Sequence, residues 1–148
     1  MDNDHIAKLR ANLFPESHAA IKNWDKFPWH KDRTWNPDTY KPHSSQALAI
    51  DVFGTLKTHP GCNNILNSFA NDLDIPRSES WNIQLEWISP TNPLREIHQH
   101  TQVDAIAEND QAIIFFECKF TEQDGGSCSQ RLNCAKKLFA NRMFMTIG

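Results

Sequence analysis

Three residues within one short stretch have the types and spacing for metal-ion chemistry. In Gln102 to Thr121, QVDAIAENDQAIIFFECKFT, Asp104 lies before a turn and Glu117-Cys118-Lys119 follows an apolar run. The stretch reads as two strands joined by a tight turn at Glu108-Asn109-Asp110. Residues i and i+2 of a strand share a face, so Glu117 and Lys119 project together while Cys118 points away. If the two strands pair, Asp104 reaches the same face. Two carboxylates then converge on a divalent cation with an ammonium beside it. Such a sparse, hard oxygen site suits Mg²⁺, or Mn²⁺ in its place. The bland alternative is a hairpin whose end emerges into water, with Glu117 and Lys119 merely hydrated. Ile113, Ile114, Phe115 and Phe116 argue against it. An apolar run without alternation is the mark of a central strand buried on both faces. Charges at the end of such a strand are costly unless paired or bound to a metal.

Other residues can join this chemistry. Glu86 lies on the polar side of an alternating segment, where it is either a third acid facing the cation or an exposed strand glutamate. Gln46, near a helix start, can orient a metal-bound water or touch a phosphate, or it is only a polar residue of the first turn. His98 and His100 share a strand face at i, i+2, a spacing that can chelate zinc or nickel. The same pair can assist proton transfer, or lie in solvent on an edge strand. No Gly-rich phosphate loop and no GxSxG elbow is present.

The positioning elements follow from periodicity. Residues 4–26 carry a helical apolar spacing that Pro15 interrupts. Residues 27–43, FPWHKDRTWNPDTYKPH, read as an ordered aromatic arm. Its Trp29, Trp35 and Tyr40, with Trp24 just before, either stack on bases beside Lys26, Lys31 and Arg33 or anchor the arm to the core. Ser44 or Ser45 caps a helix to about Leu56, which Gly54 weakens near its end. A second helix is expected over Asn64 to Leu73. Trp81 to Ser89 alternates, with Trp81, Ile83, Leu85 and Trp87 on one face of a half-buried strand. Ile97 to Ala107 and Gln111 to Thr121 are the next two strands. Ser127 caps a helix to about Leu138 or Phe139, and Arg142 to Ile147 forms a short last strand.

On these residues the chain resembles the PD-(D/E)XK nuclease superfamily, the restriction-endonuclease-like fold. Asp104 matches the first acid, and Glu117-Cys118-Lys119 match the second acid, the variable residue and the lysine. Val103 stands where that superfamily often has a proline. Upstream, Ser44-Ser45-Gln46 opening SSQALAIDVFGTL, then LEWISP, TQVDA and FFECKFTE, are similar to a group of bacterial restriction-endonuclease-like proteins. Asp51 replaces the asparagine expected in that group. The resemblance spans about Ser44 to Cys134. It implies an α/β fold with a central mixed sheet of about four strands flanked by helices, in the order α-β-β-β-α-β. It also implies a metal-dependent nuclease acting on DNA. Asp104, Glu117 and the Cys118 carbonyl would bind Mg²⁺ or Mn²⁺, and Lys119 would act on the attacking water. The alternative is a catalytically inactive module of the same fold that binds nucleic acid or a partner protein.

Length and composition are consistent with this. The 148 residues suit one domain with an N-terminal segment, divided here as 1–43 and 44–148. No apolar run is long enough for a bilayer and the start lacks a signal-peptide pattern, so a cytoplasmic protein without membrane contact is expected. Cys62, Cys118, Cys128 and Cys134 form no CxxC pair and read as reduced thiols. Charge is unevenly spread. Residues 1–43 hold seven Lys/Arg and six Asp/Glu, residues 44–126 four and twelve, and residues 127–148 four and none. The acidic middle fits a cation site. The basic end, Arg131, Lys136, Lys137 and Arg142, either meets the DNA backbone or is a solvated helix face. A C₂ homodimer, touching through the aromatics of residues 24–40, would place two sites on opposite strands of a duplex.

Overall fold

The computed structural model describes residues 3–31, 34–35, 38–91, 102–119 and the backbone of 144–147. Expectations for His98, His100, Cys128, Cys134, the helix from Ser127 and the basic residues Arg131, Lys136, Lys137 and Arg142 fall outside them.

The sheet has the order β1-β2-β3-β4, with β1 (Asn82–Ile88), β2 (Gln102–Glu108), β3 (Ile113–Cys118) and β4 (Phe144–Ile147). The first three strands are antiparallel, and β4 pairs parallel to β3 with Glu117 opposite Thr146. The chain is therefore mixed α/β. The β2–β3 turn forms where the sequence places it. Asn109 Oδ1 accepts from the backbone N–H groups of Gln111 and Ala112, the side-chain turn that asparagine favours.

Two strands lie inside the sheet, and both are apolar. Ile114, Phe115 and Phe116 of β3 are buried, whereas Ile113 at the start of the run is 41% exposed. In β2 every residue from Val103 to Ala107 is buried, Asp104 included. Phe53 and Phe116, with ring centroids 4.4 Å apart, join the helices to one face of the sheet beside Leu66, Ala70, Ile83 and Ala105.

The helical layer begins with α1 (Asn3–Asn12), and Pro15 then opens a 3₁₀ helix over Pro15–Ala20. The break falls where proline predicts it. Ser44 caps α2 (Ser45–Ala49), its Oγ accepting from the Ala47 N–H. The helix does not fail at Gly54. It passes through a π-helical turn (Ile50–Gly54) into α3 (Thr55–Thr58). Gly54 serves close packing instead. A Cβ there would come within 3.2 Å of Ser17 Cβ and 3.3 Å of Ala20 Cβ, so the 3₁₀ helix can rest on it. In the same turn Asp51 accepts from the Phe14 N–H and the Ser17 hydroxyl, pinning the two elements together. Helix α4 (Cys62–Asp72) follows. Its Asn67 holds the chain ahead of β1 by bonding Ser78 and the Trp81 indole.

The arm is anchored. Trp29 is buried with Leu9, Leu13, Ile21, Ala47 and Ile50, and Trp24, Phe27 and Tyr40 pack against that cluster. The Trp29 indole N–H donates to the Trp24 carbonyl. These rings bind the arm to the helices, with Trp29 buried and Trp24, Phe27 and Tyr40 partly buried. Trp35 differs, being 79% exposed.

Candidate metal centre

The site forms where β1, β2 and the arm meet. Asp104 is central. Its Oδ2 accepts from the Cys118 N–H at 2.6 Å, which ties the first acid to the end of β3 that carries Glu117 and Lys119. Burial pushes the Asp104 carboxyl up to about 6, against the pull of the Cys118 amide, and Glu117 and Glu86 push it the same way. A carboxyl held this high invites a cation. The Cys118 thiol beside it is pushed up to about 12, by burial and then by the charge of Asp104, so it stays protonated and inert.

Glu86 is brought in by a distortion of β1. Leu85 pairs with Ala105 and Trp87 with Val103, which sets Glu86 across from Asp104 in the register. Glu86 has φ 50°, a left-handed conformation that costs a bulky residue of order 1–3 kcal/mol. The strand alternation breaks there. Ile83 and Leu85 belong to the helix-facing cluster, whereas Trp87 packs with Val103, Ile106 and Phe115. The expectation that Trp87 shares a face with Trp81, Ile83 and Leu85 is therefore corrected, and the positive φ is the reason. The side chain of Glu86 is 1% exposed. Its Oε2 accepts from Gln102 Nε2 at 2.6 Å and lies 3.3 Å from His30 Nε2. Its Oε1 is buried and has no hydrogen-bond partner among the described residues.

His30 is the site residue that sequence reasoning missed. Nothing separates it from the other histidines in the sequence, because its place depends on how the arm folds back. Gln46 does that folding. Fully buried, its Oε1 accepts from the His30 N–H at 2.9 Å and from the Thr39 hydroxyl, and its Nε2 donates to the Pro28 carbonyl at 3.1 Å. The His30 carbonyl accepts from the Asp38 N–H at 2.7 Å. Gln46 thus meets the arm and positions the backbone of His30. The imidazole is raised above its usual range, first by its hydrogen bond to Glu86 and then by the charges of Glu86, Asp104 and Glu117, with burial opposing them. Replacing Gln46 with leucine should strand the His30 N–H and the Thr39 hydroxyl. The expected cost is about 2 kcal/mol in urea denaturation, with metal-ion affinity falling in parallel.

One ligand atom each from His30, Glu86 and Asp104 lies within 4.8 Å of the others. Glu117 is not part of this closest set. Its side chain is 40% exposed and its Oε1 accepts from Lys119 Nζ at 2.8 Å, with Lys119 19% exposed. The donor set, two carboxylates and an imidazole, fits a divalent cation, and the buried orphan Oε1 of Glu86 is the kind of group a cation would satisfy.

A family model described as Restriction Endonuclease associating with ARP matches residues 3–144. The chain belongs to this family. The match covers the arm as well as the strands, so His30 and Gln46 fall within it as do Glu86, Asp104, Glu117 and Lys119. No curated protein matches the chain, and no solved structure does.

Proposed function

We propose that this member of the family is a metal-dependent nuclease of the PD-(D/E)XK type that hydrolyses phosphodiester bonds in DNA, with a restriction-endonuclease-like core. The observation that carries the reading is the 2.6 Å bond from the Cys118 amide to Asp104. It holds the Glu-x-Lys end of β3 against the first acid, so the two halves of the motif form one place. Family membership points the same way, since the family's description is of a restriction endonuclease.

Asp104 and Glu86, and Glu117 on the open side, would hold Mg²⁺ or Mn²⁺. When bound, the cation supplies charge for the scissile phosphate and acidifies a water. The chain's own contribution is orientation and proton control. The Cys118 amide and Gln102 fix the carboxylates of Asp104 and Glu86. Glu117 steers the ammonium of Lys119, which orients the attacking water and offsets charge developing on the phosphate. No helix among the described residues is long and apolar enough to cross a membrane. DNA as substrate, a cytoplasmic location and a homodimer that reaches both strands belong to the same proposal.

The family's description also names an association with ARP. A module that only binds DNA or a partner protein is the competing reading. A cleavage panel decides between them: duplex, single-stranded and branched DNA, each with Mg²⁺ and with Mn²⁺. Cleavage that depends on the cation supports the nuclease. No cleavage of any substrate, with cation bound, leaves the binding module.

A further inference from the structure

We propose that His30, from the N-terminal arm, is a nitrogen ligand of the cation that Glu86 and Asp104 hold, and that it biases the site toward Mn²⁺ over Mg²⁺. The inference rests on the metal-dependent reading above and adds to it the identity and preference of the site.

Three observations carry it. First, the imidazole of His30 and the carboxylates of Glu86 and Asp104 each offer an atom within 4.8 Å of the others, drawn from the arm, β1 and β2. Side chains from three separate parts of the chain converge only if the fold brings them together. Second, Glu86 is buried with Oε1 unpartnered among the described residues, while its Oε2 is fixed by Gln102 and sits against His30. A buried carboxylate oxygen without a partner is costly, and a cation held by Glu86 would satisfy it. Third, the backbone of His30 is clamped on both sides, its N–H by the buried Gln46 and its C=O by the Asp38 N–H. Trp29, the preceding residue, is buried in the helical core. A histidine merely lying in solvent needs no such support. The imidazole itself is 46% exposed, so an ion can reach it.

Selectivity follows from ligand chemistry. Mg²⁺ is hard, dehydrates reluctantly and prefers oxygen donors. An imidazole nitrogen suits the later divalent metals, with Mn²⁺ at the weak end of that order. A site with two carboxylates and one imidazole therefore binds both, and loses more of its Mn²⁺ affinity than of its Mg²⁺ affinity when the nitrogen is removed.

The test uses untagged protein, since a polyhistidine tag would add nitrogen ligands of its own. Wild type and His30→Gln are titrated with MnCl₂ and with MgCl₂, and the bound Mn²⁺ is examined by electron spin-echo envelope modulation. The expected result is an imidazole ¹⁴N modulation in wild type that His30→Gln lacks. Mn²⁺ affinity should fall roughly tenfold in the variant, and Mg²⁺ affinity by less. Circular dichroism and thermal melting without metal check that the variant folds, and the half-exposed imidazole makes that the expected outcome. Mn²⁺ bound to wild type without nitrogen modulation, or modulation that persists in His30→Gln, overturns the ligand role and leaves the metal-dependent reading standing. Failure of wild type to bind either metal overturns both.

Discussion

Without divalent cation at pH 8, Asp104→Asn should melt at a higher temperature than wild type, and added Mn²⁺ should stabilise wild type but not the variant. The sign follows from linkage. Asp104 is pushed up from 3.8 to about 6 by the fold. Between those values the folded state binds more protons than the unfolded one, so stability falls as pH rises through the window. Above it the full cost of holding the ionised carboxylate is present, at most about 3 kcal/mol. Asparagine keeps an oxygen for the Cys118 amide and removes the charge. A gain of about 2 kcal/mol corresponds to roughly 4–8 °C for a chain of this size. Well below pH 3.8, Asp104 is protonated in both states and the gap should close. His30 adds to the same trend. Its folded value is raised, so the stability it contributes is complete below its ordinary 6.5 and is lost as pH rises through the folded value. The metal-free protein is thus favoured by mild acid, and cation binding moves the optimum upward by competing with the protons. A variant that melts below wild type at pH 8 would show that Asp104 supports the fold through its charge and not at its expense.

That tension is what a sequence shows only in outline. The strands were legible because alternation and apolar runs are local. The Asn109 turn and the run from Ile113 to Phe116 lie where such rules place them. The last strand also pairs within the expected stretch, parallel to β3. Asp104 was recognisable as an acid before a Glu-x-Lys strand, but not as a residue in a stretch buried from Val103 to Ala107. Glu86 stood out only as a candidate. Its φ of 50° reverses the expected placement of Trp87, and no pattern of residue types announces a left-handed glutamate. His30 was invisible for a different reason. Its role rests on contacts across 16 residues between the arm and Gln46, and on 3.3 Å to a strand far along the chain. Gln46 drew notice for its place near a helix start. Its task, however, is to hold the arm, because burial spends both ends of its carboxamide on chain groups. The aromatic arm was open between base stacking and anchoring. Trp29 and Trp24 anchor because the apolar faces of α1 and α2 leave a surface for them.

Lys119→Ala is expected to lose cleavage by roughly 10²–10⁴-fold in the single-turnover rate at saturating cation, while cation affinity is kept or slightly improved. The separation of the two readouts comes from where Lys119 sits. Its ammonium is 2.8 Å from Glu117 Oε1, and Glu117 is itself outside the closest set of His30, Glu86 and Asp104. Removing a positive charge near a cation site cannot weaken the site by repulsion. It can only free Glu117 to approach the ion. What is lost is an oriented donor at the attacking water and a charge opposite the developing negative phosphate. Lys119→Arg keeps the charge but replaces a compact ammonium with a wider planar fork, so it should restore DNA affinity more than rate. Glu117→Gln provides the complementary case. It removes both a carboxylate and the partner of Lys119, so cation affinity and rate should fall together. Cleavage by Lys119→Ala at the wild-type rate, with cation bound, would take Lys119 out of the chemistry and leave its pairing with Glu117 as a structural contact at the end of β3.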